Sequence, residues 1–534
     1  MSNGADTPVL VPSAPVHTST FERWATTGLM AGAFVAALAG LTVLVRHPIV
    51  FLDEPWYADA SWNLATRGTN FDSMFAGVLD QWPASWVRWP WLGNVPFAAT
   101  FAVGGLGLYQ GRLTSWIFGV VLLWLLFLLG RRLYSAVTGA LAALLLSVGS
   151  IFLQASHYVR VDMFLACTVL AALYCLLVGI DEARPRPIFL AGLISSVSVD
   201  IHMNSALFGI GLAVVLLARI RSRTLGWKHL GFLAAGAAVG TVYWTMVHIA
   251  PSPTTYLSIS RGWQGSILQP PIASFSLAAL LESLRAEVGR YRFYSNGLDF
   301  ALIGASLVAL AARRTVRDRM LLTFIGTSFG LFVLFVQNKH DIYAILFYPL
   351  FLLAVAETFV HLLRRHSESD LVRRFAGALL VLVVVNSTVH VVRAVAQTRG
   401  YDYDALTARM RRAIPAHARV AGMPTWWLGF SDYDYRSLLG LTYYHLFNGY
   451  DLVEGLEAMH PTHLIVDGDF NLLLVDGEGF PPGPGFAMYN LPRHQFETFM
   501  AAHTRKVDEL VDRWHGRIAI YEIQWQTAAP RSGS

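Results

Sequence analysis

Apolar runs of membrane-crossing length recur through the first three quarters of this 534-residue chain, and they leave few folds open to it. A helix needs roughly 20 apolar residues to cross the hydrocarbon core, somewhat fewer where the bilayer thins. Such runs extend from Thr26 to Val45, Trp116 to Leu133, Val137 to Leu153, Met163 to Ile180, Ser205 to Ala218, His229 to His248 and Leu298 to Ala312. Three more run from Met320 to Val336, Ile342 to Leu363 and Phe375 to Val392. The shorter stretch from Pro187 to Val199 brings the expected total to about eleven spans. With 54% hydrophobic and only 14% charged residues, most of the surface must meet lipid rather than water. The sequence pI near 9.1 does not point to nucleic acid, because the basic residues sit in short clusters between the apolar runs, where they orient a membrane protein.

With the N-terminus in the cytoplasm, the inner connections carry Arg131 and Arg132, Arg184 and Arg186, the Arg219 to Lys228 group, the Arg313 to Arg319 group, and Arg364 to Arg374. The short outer turns hold only Arg160 and Lys339. That asymmetry follows the positive-inside rule. It also rules on Leu92 to Tyr109: a crossing there would put every later arginine cluster outside, so this segment reads as an interfacial or re-entrant helix, broken by Pro96 and loosened by Gly104, Gly105 and Gly107. The expected organisation is a cytoplasmic tail over 1–25, a transmembrane domain over 26–393 with long outer loops at 46–115 and 249–296, and an extracytoplasmic α/β domain over 394–534. In the tail, Tyr403 to Ile414 and Arg493 to Trp514 read as helices, and Arg419 to Gly422, His463 to Val466 and Ile518 to Ile523 as strands. The first span reads as a signal anchor, since Arg46-His47-Pro48 offers no small-residue cleavage site. The two cysteines, Cys167 and Cys175, share one apolar run and lie about 12 Å apart on a helix, too far to pair. A multi-pass protein of the plasma membrane is the implied setting.

The chemistry-bearing residues gather at the outer ends of the spans. The first outer loop begins Phe51-Leu52-Asp53-Glu54-Pro55-Trp56-Tyr57, two adjacent carboxylates at a depth where acids are costly unless used. Asp53 equally suits a helix cap ahead of Pro55, and capping would hold it in a set position. Another outer turn reads Arg160-Val161-Asp162; Arg160 either pairs with Asp162 or grips an anion. The turn Asn338-Lys339-His340-Asp341-Ile342-Tyr343 holds Lys339, a snorkelling lysine or a second anion ligand. Glu287, Arg290, Tyr291 and Arg292 close the second long loop, and His202 sits in the Asp200-Ile201-His202 turn. Glu287 and His202 are the candidates for a divalent cation site. Sugar transfer from a lipid phosphate needs a base for the incoming hydroxyl and cations for the phosphate charge that grows as the bond breaks. Those residue types recur at one membrane depth.

In Asp53-Glu54 with Tyr57, Gly111-Arg112, Arg160-Val161-Asp162, and Lys339 with Tyr343 and Pro349, residues 20–365 resemble the GT-C membrane glycosyltransferases, most nearly the protein O-mannosyltransferases and the aminoarabinose transferase of lipid A. The resemblance implies that Asp53, with Glu54 beside it, is the catalytic carboxylate. It implies that Arg160 and Lys339 hold a polyprenyl-phosphate leaving group; Tyr343, Arg112, Tyr57 and Asp162 from the same motifs, and Arg290 and Arg292 from the second loop, are further candidates for the donor site. Where the aminoarabinose transferase has an acidic-basic-proline motif, this chain has Gln81-Trp82-Pro83 and Arg88-Trp89-Pro90, a departure that counts against a metal site.

Nucleotide sugars are made in the cytosol and the site faces away from it, so a polyprenyl-phosphate sugar is the expected donor; a glycan, lipid or protein is the expected acceptor. A flippase or transporter would show polar or broken helices at the midplane and related halves, and these spans are apolar. A ligase moving whole oligosaccharides from a lipid carrier would use the same parts, and a noncatalytic scaffold would need none of them. The topology is tested by a reporter fused after Arg393, expected to be active only outside the cytoplasm; a cytoplasmic signal would break the span count.

Overall fold

The computed structural model describes residues 20–78, 91–257, 260, 276–294, 297–336, 340–365, 369–477, 479–481 and 489–525. Every expected span is helical, although the ends differ from those read in the sequence. The first helix runs Thr20–Leu41, and the second starts at Leu108 rather than Trp116, so Arg112 lies inside it. The third is broken, Ala136–Ser147 and Ser150–Ser156 meeting at 71°. Among the described residues six helices are long and apolar enough to cross a membrane, or up to seven if the bent pair is one span. The other expected spans are helices of 13, 17, 17 and 18 residues, Pro185–Val197, Ser205–Arg221, Gly297–Arg313 and Tyr348–Arg365. The last of these also carries Glu357, Arg364 and Arg365. The segment after Leu92 forms only a 10-residue helix, Val95–Gly104, too short to cross.

Close helix crossings use glycine, because lipid provides no hydrophobic push and packing must come from backbone approach. Gly192 and Gly236 let Pro185–Val197 and Lys228–Trp244 touch backbone to backbone: a Cβ on Gly236 would strike the Phe189 carbonyl, and one on Gly192 the Leu233 carbonyl. Gly130 and Gly139 do the same for the second and third helices.

Charges separate to opposite helix ends. Asp162 starts and Asp181 ends the helix Asp162–Asp181, which puts them about 28 Å apart along its axis. At the Asp181 end, Arg132 bonds Asp181 at 2.8 Å and Glu182 at 3.1 Å, Arg317 bonds Asp181 at 2.6 Å, and Arg313 joins Asp318 at 2.7 Å to Glu357 at 2.9 Å. These are the arginine clusters that the sequence assigns to the inner connections.

Among the described residues, seven strands lie beyond residue 418: β1 (Arg419–Gly422), β2 (Asp434–Ser437), β3 (His463–Val466), β4 (Leu474–Val475), β5 (Leu491–Pro492), β6 (Thr504–Asp512) and β7 (Gly516–Ile523). Five form one sheet in the order β2-β1-β3-β7-β6, and β4 pairs with β5. Strands β1, β2 and β3 are parallel; β7 runs antiparallel to both β3 and β6. Here the expected helix Arg493 to Trp514 is corrected: it stops at His503, and 504–512 is strand β6. The charged run Arg505 to Glu509 is compatible with a helix, and pairing with β7 overrides that local preference. The signal was the turn that follows, where Asp512 accepts the Trp514 and His515 amides at 2.8 Å and Gly516 sits at φ +70°, marking a hairpin.

This α/β region packs on the first long loop. Arg436 donates to the Ser73 carbonyl at 3.0 Å, the Val50 amide donates to the Tyr401 hydroxyl at 3.1 Å, and the rings of Trp56, Phe75 and Tyr443 meet at centroid distances of 4.9 and 5.3 Å. The loop helix Asp53–Arg67 is thus held from the C-terminal side.

Replacing Gly236 by Val should lower stability by about 1–3 kcal/mol through overpacking. Gly231→Val on the same helix, where a Cβ meets nothing within 4 Å, should be neutral. Thermal unfolding of the two variants in detergent checks this; equal melting temperatures would contradict the close crossing.

Candidate active site

Asp53 is the first residue of the helix Asp53–Arg67, and Glu54 the second. Successive helix residues point about 100° apart, so the two carboxylates diverge. Glu54 turns inward and is fully buried. Arg112 grips it with both arms, Nε to Oε2 at 2.9 Å and Nη2 to Oε1 at 2.7 Å, and the Val159 amide donates to Oε2 at 3.0 Å. The remaining arm of Arg112 donates to the Leu44 and Pro48 carbonyls at 2.9 Å. The sequence reading of Glu54 as catalytic and Arg112 as a donor ligand is corrected: both are sealed from water with their polar atoms bonded to each other and to backbone. They clamp the loop helix to the second helix and to the end of the first.

Asp53 turns the other way, its side chain 20% exposed, into an ion pair with Arg160. Arg160 is 2% exposed and also donates from Nε to Asp162 at 2.8 Å. One guanidinium therefore lies between two carboxylates from separate helix starts, with its carbon 5.7 Å from the centre of the Tyr57 ring. Burial raises the Tyr57 hydroxyl well above its usual range and keeps it protonated. Tyr343 lies within electrostatic reach of Arg160, and its hydroxyl meets His202 Nε2 at 3.1 Å. The His202 Nδ1 accepts the Asn204 amide at 3.2 Å, and burial lowers this imidazole to about 4, so it is neutral. His340 contributes a second neutral imidazole, lowered to about 3 by burial and then by Arg160, with Nε2 at 3.9 Å from Asp53 Oδ2.

Of the residues expected from sequence, Asp53, Tyr57, Arg160, Asp162, His202 and Tyr343 come together. Lys339 lies outside the described residues, as does the side chain of Arg292. Arg290 is buried, pairs with Glu287, and lies within electrostatic reach of His340, Asp341 and Tyr343. Of the two candidate metal ligands, Glu287 pairs with Arg290, and both ring nitrogens of His202 have hydrogen-bond partners. Among the described residues no group of three or more His, Cys, Asp or Glu side chains could hold a metal ion.

The arrangement can now be compared with known proteins. No curated protein sequence matches the chain. Residues 90–283, less than half of it, match the family of dolichyl-phosphate-mannose-protein mannosyltransferases (PMT_2). The structure aligns with ArnT from Cupriavidus metallidurans bound to undecaprenyl phosphate at TM-score 0.59 and 14% identity, covering 93% of this chain and 98% of that one. The fold is of the GT-C type. Apo ArnT from the same organism aligns equally well, TM-score 0.59 with 14% identity over 93% and 98% of the two chains. The archaeal oligosaccharyltransferase AglB from Archaeoglobus fulgidus aligns at TM-score 0.48 and 13% identity, over 85% of this chain and 70% of that one.

Within this GT-C fold, sequence reasoning missed two features. His340 was quoted in its turn without a role. Asp200 was seen only as a neighbour of His202, yet its carboxylate collects the Trp91 amide at 2.9 Å, His248 Nε2 at 2.9 Å and the Tyr243 hydroxyl at 2.5 Å, joining the far end of the first long loop to the start of the second. No local signal marks such a node, because its donors come from 43 to 109 residues away.

Arg112→Ala should cost about 3–5 kcal/mol, since it leaves Glu54 as an uncompensated buried charge. A fluorescence melting curve of the detergent-solubilised variant within a degree of wild type would remove the clamp from this account.

Proposed function

We propose that this protein is a membrane glycosyltransferase that moves a sugar from a polyprenyl-phosphate carrier to an acceptor hydroxyl at the outer face of the membrane. The observation that carries the reading is the ion cluster of Asp53, Arg160 and Asp162, a half-open carboxylate and a buried guanidinium side by side at the helix ends opposite the main arginine clusters. The match to the mannosyltransferase family and the fold shared with a protein solved with undecaprenyl phosphate support the donor class.

In this reading Asp53 is the base. The acceptor oxygen attacks the anomeric carbon while its proton passes to the Asp53 carboxylate. The bond from that carbon to the phosphate oxygen breaks with its electron pair on the phosphate, and polyprenyl phosphate leaves. A single displacement inverts the anomeric centre. Arg160 faces two carboxylates at once, so its charge alone is outweighed, and the phosphate calls for a second cation. Lys339 in the adjoining outer turn is the residue we assign to it, with Arg290 contributing at longer range. The neutral Tyr57 and Tyr343 hydroxyls are donors suited to phosphate or sugar oxygens.

Asp53→Asn should abolish transfer while leaving undecaprenyl phosphate binding within twofold of wild type, because the amide keeps the shape and loses the base. Arg160→Ala and Lys339→Ala should each weaken that binding at least tenfold, roughly the value of one charge-assisted contact. Turnover is read as sugar released from the lipid by mass spectrometry, and binding by titration of the purified protein. Full turnover by Asp53→Asn would remove the base, and unchanged affinity in both cation variants would remove the phosphate clamp.

A further inference from the structure

We infer that His340 is a second fixed point for the acceptor, holding with Asp53 the hydroxyl that attacks the sugar. This rests on the transferase reading above and deepens it.

The argument starts from the tautomer. His340 opens the turn before Tyr348–Arg365, and its Nδ1 accepts the Ile342 amide at 3.2 Å. A neutral imidazole with Nδ1 accepting carries its proton on Nε2, so Nε2 is a donor. The ring is held edge-on against Phe51, centroids 5.4 Å apart at 76°, and tilted on Tyr343 at 5.8 Å. Phe51 lies two residues before Asp53, so the wall that orients the imidazole is built from the strand of chain that delivers the base.

The Nε2 donor stops 3.9 Å short of Asp53 Oδ2. That gap is too long for a direct hydrogen bond, and an oxygen atom seated beside the line joining the two atoms can lie about 2.8 Å from each. The chemistry of the two sides restricts which oxygen. It must accept from Nε2–H and donate to a carboxylate. A phosphate oxygen accepts but has no proton to give at neutral pH, and the carboxylate repels it. A hydroxyl satisfies both sides. Both side chains are partly open, 25% for His340 and 20% for Asp53, so the position is reachable. In this arrangement one lone pair of the hydroxyl is occupied by His340, its proton points to Asp53, and the second lone pair is directed at the anomeric carbon. His340 neither gains nor loses a proton in the step; it fixes the nucleophile.

The test compares His340→Phe, which fills the space without a donor, with His340→Gln, which keeps an N–H. Turnover is measured in membranes of the native host, as polyprenyl phosphate released from that host's own lipid-linked sugars. His340→Phe should lose roughly ten- to a hundredfold, the scale of a misplaced nucleophile, and His340→Gln should recover most of it. Undecaprenyl phosphate affinity, and the amount of endogenous polyprenyl-phosphate sugar that co-purifies by native mass spectrometry, should both stay within twofold. Loss of co-purified sugar lipid with undecaprenyl phosphate binding intact would overturn the assignment in favour of a hydroxyl on the donor sugar. Loss of undecaprenyl phosphate binding would overturn it in favour of a phosphate ligand. Unchanged turnover in His340→Phe would remove the role of His340 and leave the transferase reading standing, whereas absence of any release by wild type would take down both.

Discussion

A guanidinium almost closed to water cannot stay there without anions, and that requirement organises one end of the helix bundle. Arg160 is 2% exposed and bonds carboxylates from two directions. Removing a charge from water costs several kcal/mol after relaxation, and only close, well-oriented partners offset it. Asp162 is supplied by the same turn, but Asp53 comes from the first long loop, so burying Arg160 draws that loop onto the bundle. Tyr57 then closes over the same group with its ring, and Tyr343 lies within electrostatic reach of it.

The neighbouring pair works in the opposite sense. Glu54 and Arg112 are fully buried and bonded to each other and to backbone. One turn of helix geometry thus sets two adjacent acids apart: Glu54 fixes the helix, and Asp53, at its edge, stays part-open beside Arg160. A buried ion pair adds little net stability compared with apolar packing, but breaking it is expensive. Such a pair is therefore suited to holding one arrangement against alternatives, and here it holds Asp53 in register with Arg160.

The α/β region extends the same support. Tyr401 and Thr398 touch the residues just before the loop helix, Tyr443 and Arg436 touch its first turns and the segment after it. On the other side, Asp200 ties Trp91 to Tyr243 and His248. The first long loop is thus tied to the α/β region near its start and to the Asp200 carboxylate at Trp91.

Much of this was legible in the chain. The apolar runs foretold the helices, because hydrocarbon demands length and apolarity whatever the neighbours are. The arginine clusters foretold which helix ends lie together, because charge is segregated along each span. The short motifs around Asp53, Arg160 and Tyr343 singled out residues that the structure brings near one another, since ionisable groups at membrane depth seek partners. The tail was read less well: β1 and β3 were placed, but 504–512 was taken for helix, as strand identity there comes from pairing with β7. Pairings across distance were out of reach in the same way. The partner of Glu54 is 58 residues away and that of His340 is in another loop. Composition and periodicity act locally, and so determine which segments cross the membrane and where charge is allowed. Which of two adjacent acids is sealed and which is open, and the 3.9 Å gap beside His340, depend on how distant segments meet when the bundle packs.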